Sequence, residues 1–221
     1  MKQKIKRSLN LLCKVLMLPL AIPCLVEKKG WPQSELLFNF CAQTIALLPG
    51  IPGVFLRRGF YSWTLEKCSL NCHIGFGTVF SHREAIIDDN VYIGSYALIG
   101  SVHLQPHCLI GSRTSILSGK ALHVVGEDGL WTPYTAERLT RVVLGKNVWI
   151  GESAVIVADI GDNSMVGAGA VVTTAVKSGI IVTGNPARFV GKLQESQSRP
   201  STEQATPSEP ADSMSKTSAP A

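Results

Sequence analysis

Apolar residues followed by glycine recur along the middle of the chain at a nearly constant interval. Leu144-Gly145, Ile150-Gly151, Ile160-Gly161 and Val166-Gly167 form one series, and Ile74-Gly75, Ile93-Gly94, Ile99-Gly100 and Ile110-Gly111 an earlier one. Ile87-Asp88 and Leu104-Gln105 hold the same register. The spacing is mostly six residues. That is too short for a helical repeat and matches no single amphipathic strand, so each hexapeptide is expected to form one face of a β-solenoid coil. Val148, Ala154, Ser164 and Ala170 fall four positions after the repeated apolar residue, where a tight corner tolerates little side-chain volume. Glycine is expected to supply the unusual backbone angles of that corner. The series covers roughly residues 70 to 183, with an interruption near 118 to 141, which leaves room for about five coils of three hexapeptides.

Before residue 67 the pattern is different. Lys2, Lys4, Lys6 and Arg7 precede an uncharged run from Val15 to Val26 that contains Pro19 and Pro23. A spanning helix wants about 20 apolar residues, and extending the run back to Leu9 takes in Lys14 and Asn10. A secretory leader fits the basic start, but no small-x-small cleavage site follows. A segment lying on a membrane surface fits best, with bases for anionic lipid and apolar residues for the acyl boundary. Ser34 to Leu48 predicts a helix capped by Ser34 and stopped by Pro49-Gly50, with an apolar face of Leu36, Leu37, Phe40, Cys41, Ile45 and Leu48. Ile51 to Leu65 predicts a third, whose Arg57 and Arg58 among aromatics suit a headgroup interface or a cap on the open end of the solenoid. Residues 194 to 221, rich in Ser, Thr, Pro and Ala, read as a disordered tail. The domain reading is therefore 1–66 helical and capping or membrane-associated, 67–193 solenoid with a loop at 118–141, and 194–221 tail.

The hexapeptides, together with Gly184-Asn185-Pro186-Ala187-Arg188, resemble the left-handed β-helix acyltransferases. Phe80-Ser81-His82-Arg83, Val91-Tyr92-Ile93-Gly94, Ile116-Leu117-Ser118-Gly119 and Val148-Trp149-Ile150-Gly151 further resemble the O-acetyltransferases of bacterial surface-polysaccharide synthesis. The resemblance implies an all-β, left-handed parallel β-helix preceded by helices. It also implies a homotrimer and acetyl-CoA as co-substrate. The implied acceptor is a hydroxyl on a sugar or glycan precursor. With a cytosolic co-substrate, the N-terminal segment is expected to hold the protein at the cytoplasmic face of the plasma membrane.

Composition and charge narrow the partners. The charged fraction is 17% and the formal net charge is +5. No basic stripe interleaves with aromatics, so nucleic acid is a poor explanation; an anionic membrane and a phosphate-rich co-substrate explain the bias better. The six cysteines are scattered, several within apolar runs, and read as buried reduced thiols in a reducing compartment. Cys68, Cys72 and His73 do not have the spacing of a standard zinc pair, and no metal is expected.

Chemistry is expected where the repeat breaks, in the loop holding His123, Glu127, Asp128, Trp131, Tyr134, Glu137 and Arg138. Acyl transfer from a thioester to a hydroxyl needs a base, which a neutral histidine supplies near working pH. No Gly-x-Ser-x-Gly elbow is present, which favours direct transfer over an acyl-enzyme. His123 is the expected base because related enzymes place theirs just after the coil that precedes the loop. Relatives often read Ser-Gly-Arg-His-Gln-His where this chain has Ser118-Gly119-Lys120-Ala121-Leu122-His123, so the first histidine of that pattern is Ala121. His82 and Arg83 are acceptor-site candidates. The resemblance assigns Gly151, Ala168 and Thr173 to backbone contacts with CoA and Arg188 to its phosphates. Some relatives carry a second base where this chain has Gly191; Lys192 next to it is a candidate substitute, and Lys177 is a weaker candidate. Glu127 or Asp128 is a candidate to orient His123. Alternatives are acylation of an amino acceptor, a non-catalytic trimeric scaffold, and a zinc enzyme of this fold, for which His103 and His107 are one residue too close.

Overall fold

The computed structural model describes residues 2–119, 123–132, 135 and 138–193. Its strands, numbered along the chain, form three sheets, parallel except for the last strand. The first holds β1 (Lys67–Cys68), β4 (Ile86–Ile87), β7 (Val102–Leu104) and β10 (Val142–Leu144). The second holds β2 (His73–Ile74), β5 (Tyr92–Ile93), β8 (Leu109–Ile110), β11 (Trp149–Ile150), β13 (Met165–Val166), β15 (Ile180–Thr183) and β16 (Arg188–Lys192). The third holds β3 (Val79–Phe80), β6 (Leu98–Ile99), β9 (Ser115–Ile116), β12 (Val155–Ile156) and β14 (Val171–Val172). Up to β15, consecutive strands lie on different sheets, and each pairs with its counterpart one coil away. The result is a left-handed parallel β-helix of about six turns, with four helices before it. Isolated bridges at Ile160 and Val176 continue the first sheet, and β15 with the antiparallel β16 ends the second, which accounts for the extra turn beyond the expected five.

Each hexapeptide points two residues inward. The larger, such as Ile93, Ile110, Ile150 or Ile156, is fully buried on the axis. The smaller, such as Ala97, Thr114, Ala154 or Ala170, is buried at the corner. The glycines of the repeat do a different job from the one expected of them. The left-handed residue of the corner is mostly not glycine: Asn90, Tyr96, His107, Arg113, Asn147, Ser153 and Asn163 have φ between 52° and 68°, and each immediately precedes the buried corner residue. The repeat glycines are needed because the next coil lies directly against them. A Cβ on Gly94 would come within 2.5 Å of the Ser112 nitrogen, and one on Gly151 within 2.4 Å of the Ala168 nitrogen. The loop after β9 leaves and re-enters this stack without disturbing it, since β10 pairs with β7 and β11 with β8 in continuous register.

The helices are α1 (Lys2–Leu16), α2 (Leu18–Gly30), α3 (Leu36–Ala46) and α4 (Gly50–Thr64). They cover the open end of the first coil, where strand edges would otherwise be unpaired. The Gly77 amide donates to the Ala46 carbonyl oxygen at the C-terminal end of α3. Arg57 donates to the carbonyl oxygens of Ile74 (2.9 Å), Leu48 (2.6 Å) and Ala46 (3.4 Å), and Arg58 to that of Cys72 (3.1 Å) while lying over the Phe55 ring. Both arginines are buried, so the headgroup role considered for them gives way to capping: these carbonyl groups, withdrawn from water, need donors.

Two other local expectations change. The Ser34 hydroxyl donates to the buried Glu27 carboxylate and makes no helix cap, and α3 starts two residues later than expected. The buried face of α3 is Phe38, Cys41, Ala42, Ile45 and Ala46, whereas Leu36, Leu37 and Phe40 face outward. Among the described residues no single helix is long and apolar enough to cross a membrane; α1 and α2 together pass by length and composition but are bent by 56°.

Candidate active site

The three corner edges of the solenoid sort the candidate residues. The edge between the third and first sheets carries His82 and Arg83 on coil one, the loop with His123 between coils three and four, and Thr173 on coil five. The edge between the second and third sheets carries Gly151 and Ala168, stacked on consecutive coils. Arg188 and Lys192 lie at the far end on β16, where Arg188 pairs in register with Thr183 and Lys192 with Ile180. The candidates therefore occupy both borders of the third sheet and the terminal strand of the second.

The described part of the loop is a small hairpin. Val125 bridges Trp131, the Thr132 amide donates to the Val124 carbonyl oxygen, and the Val124 amide donates to the Thr132 hydroxyl at 3.1 Å. Arg138 donates to the same hydroxyl at 3.1 Å. Asp128 accepts the Leu130 amide and closes the hairpin tip. His123 stands exposed at the hairpin's base, with Nδ1 at 2.9 Å from the Thr132 carbonyl oxygen. A carbonyl oxygen only accepts, so Nδ1 carries the proton of the neutral ring and Nε2 keeps its lone pair. That is the tautomer a general base requires. Its orienting partner is a backbone carbonyl rather than Glu127 or Asp128. The sequence carries no signal for it, because a main-chain oxygen is present at every residue. Ala121, Tyr134 and Glu137 lie outside the described residues.

His82 and Arg83 are committed to holding the helices on the solenoid. His82 Nδ1 donates to Glu35 at 2.8 Å, and the Arg83 amide donates to the same carboxylate at 2.9 Å. The Arg83 guanidinium donates to the Ser34 carbonyl oxygen and pairs with buried Glu27. Glu27 in turn accepts from the Ser34 hydroxyl and the Leu37 and Phe38 amides. Burial pushes the Glu27 carboxyl up, but these four donors outweigh it and hold the group below the usual carboxylate range. Sequence reasoning missed this glutamate entirely, since it follows the apolar run and precedes Lys28 and Lys29, where it reads as a surface charge.

At the terminal cleft, about 370 Å³, Lys177, Arg188 and Phe189 join Thr174, Val176 and Ala187. A base pair at the rim of a partly apolar cleft suits a phosphate carried on an organic arm. Lys192 is exposed on the outer strand and does not line this cleft.

The thiols are poor nucleophiles. All six cysteines are free and buried. Burial pushes Cys108 up to about 11 and Cys24 up to about 12. Cys68 and Cys72 lie 3.9 Å apart inside the cap, and the hydrogen bond between them together with burial raises Cys68 well above its ordinary value. His73 points outward from the same turn and stacks on Tyr92, so the three do not converge. His103 is engaged by Asp88 at 2.9 Å, on the first sheet, whereas His107 sits at the following corner. Among the described residues, Glu35, His82 and Glu84 are the group of ligand-type side chains near enough to share an ion, and two of them already bond each other.

Comparison with known proteins agrees with this architecture. The family described as hexapeptide repeat of succinyl-transferase matches residues 141–174. The chain is 26% identical over 145 residues to a galactoside O-acetyltransferase of Lactococcus lactis, covering 64% of this chain and 61% of that protein. It is 29% identical over 128 residues to the galactoside O-acetyltransferase of Escherichia coli, covering 57% and 56%. The chain thus spans about three fifths of these relatives. A solved galactoside acetyltransferase in complex with coenzyme A superposes with a TM-score of 0.57 at 22% identity, over 71% of this chain and 81% of that one, a likeness of fold.

Proposed function

We propose that this chain, a hexapeptide-repeat left-handed β-helix protein, transfers an acetyl group from acetyl-CoA to a hydroxyl of a sugar-containing acceptor. The similarity to galactoside O-acetyltransferases supports the reaction class. The observation that carries the mechanism is His123, exposed on the loop with its Nδ1 proton held by the Thr132 carbonyl oxygen.

His123 Nε2 takes the acceptor's hydroxyl proton as the oxygen attacks the thioester carbonyl. The tetrahedral oxyanion collapses, the carbon–sulfur bond breaks, and the imidazolium returns its proton to the departing thiolate. Products are the acetyl ester and the CoA thiol. Backbone amides at the corners are the available donors for the oxyanion. Arg188 and Lys177 hold the nucleotide phosphates, and the glycine-lined corner at Gly151 and Ala168 admits the pantetheine arm close to the backbone. The histidine at 82 serves less well as the base: it is only 14% exposed and is clamped under α3 by Glu35.

The working form is a homotrimer. The second sheet supports this by turning Tyr92, Leu109 and Trp149 outward in one ladder across three coils, an apolar strip that a partner copy would cover. The test is release of CoA thiol from acetyl-CoA with pooled sugar, nucleotide-sugar and lipid-linked sugar acceptors. Acceptor-dependent release supports transfer. Absence of both release and acetyl-CoA binding would leave a non-catalytic scaffold.

A further inference from the structure

The four helices carry more exposed apolar surface than a cap requires. On α1, Ile5, Leu9, Leu12 and Leu16 recur at intervals of four, three and four residues and are all exposed, while Asn10 and Cys13 on the other side are buried. α3 buries Phe38 and Ile45 yet leaves Leu36 79% and Phe40 68% exposed, and Ile51 at the start of α4 is 74% exposed. A terminal cap of a solenoid is expected to present a polar outer face. Here the inner face is already packed against the first coil and the neighbouring helices, and the apolar residues of the outer one are left exposed.

Charge identifies the partner. Residues 1–31 contain Lys2, Lys4, Lys6, Arg7, Lys14, Lys28 and Lys29 against a single acid, Glu27, which is buried and neutralised by Arg83. A second copy of the same surface would set bases against bases, whereas an anionic lipid surface complements both the apolar stripe and its basic flanks. Geometry decides between spanning and lying flat. α1 is tied to the first coil by Asn10 to the Leu70 carbonyl oxygen at 3.0 Å and Lys6 to Asn71 at 2.7 Å, and to α4 by Trp63 to the Lys14 carbonyl oxygen at 2.9 Å. A bilayer-spanning α1–α2 pair would have to break these bonds and straighten a 56° bend.

We infer that α1 and the outer face of α3 dock in the plane of an anionic phospholipid membrane, with the solenoid held outside it. This docking does not depend on acetyl transfer. The experiment is flotation of the full chain with vesicles of phosphatidylcholine alone or of phosphatidylcholine with phosphatidylglycerol. Expected are flotation with the anionic vesicles, release by high salt or alkaline carbonate, and at least tenfold weaker flotation for Leu9→Glu/Leu12→Glu, for Phe40→Glu, and for Lys4→Glu/Arg7→Glu. The substituted apolar positions are exposed, so melting temperatures should hold, and Lys146→Glu on the solenoid should float like the wild type. The inference is overturned if the wild type does not float, if all three variants float normally, or if carbonate fails to release the protein, which would mean a spanning segment. It is also overturned if Leu9→Glu/Leu12→Glu dissociates an oligomer in the absence of lipid, which would make this face a contact between copies.

Discussion

At the scale of the residue, the repeat assigns strain and space to different positions. The corner residues bear the left-handed backbone, which costs a non-glycine residue about 1–2 kcal/mol, while glycine is kept where the next coil leaves no room for a Cβ. Gly94→Ala should therefore destabilise the fold by about 1–3 kcal/mol, because the contact is with backbone that cannot swing away. His107→Gly should do the opposite and stabilise by about 0.5–1 kcal/mol, since His107 is exposed and has φ 68°. Thermal or denaturant melts of the two variants check both signs. The apolar-Gly period was legible in the sequence, but the reason for the glycine was not. A spacing reports that a position is constrained without saying whether by its own dihedral or by a neighbour one coil away.

At the scale of the element, one buried ion pair is central to the bonds that hold the helices on the solenoid. Glu27 on α2 and Arg83 on the first coil meet in the interior, and Ser34, Leu37 and Phe38 complete the acid's hydrogen bonds. Its carboxyl is held below the unfolded value of about 4.3, so its stabilisation is fully present above that pH and is lost as pH falls through the lowered folded value. Acid should loosen the cap before the solenoid. Glu27→Gln should remove that acid limb and cost about 3 kcal/mol near neutral pH by leaving Arg83 without its counter-charge. Tryptophan fluorescence against pH, with Trp31 and Trp63 reporting on the helices, follows the event. The existence of α3 was readable from its stop at Pro49-Gly50, although its expected cap Ser34 bonds elsewhere, but which face of α3 turns inward was not: Leu36, Leu37 and Phe40 are as apolar as Phe38 and Ile45, and periodicity does not choose between two apolar sides. For Arg57 and Arg58 the sequence left a headgroup interface and a cap on the solenoid end both open, and the carbonyl groups they bond decide for the cap.

At the scale of the whole molecule, the solenoid places a loop histidine on one border of the third sheet, glycine-lined corners on the other, and a basic cleft at its end. The histidine and the glycine corners were legible as residues; their division between two edges follows only from the coil register. If Arg188 holds a CoA phosphate as proposed, Arg188→Ala should raise the KM for acetyl-CoA about tenfold with kcat little changed, because a contact shared by ground and transition states would be lost; steady-state kinetics against acetyl-CoA would show it. Two histidines along one edge possess an orienting partner, His123 through Thr132 and His82 through Glu35, and it is the more accessible His123 that we propose takes the proton. The decisive experiment is acceptor-dependent CoA thiol release by His123→Ala and His82→Ala in parallel, each confirmed folded. Loss of about 100- to 10,000-fold in kcat for His123→Ala, with His82→Ala within about tenfold of wild type, is the expected outcome. A His123→Ala protein that retains wild-type turnover would contradict the assignment of the base.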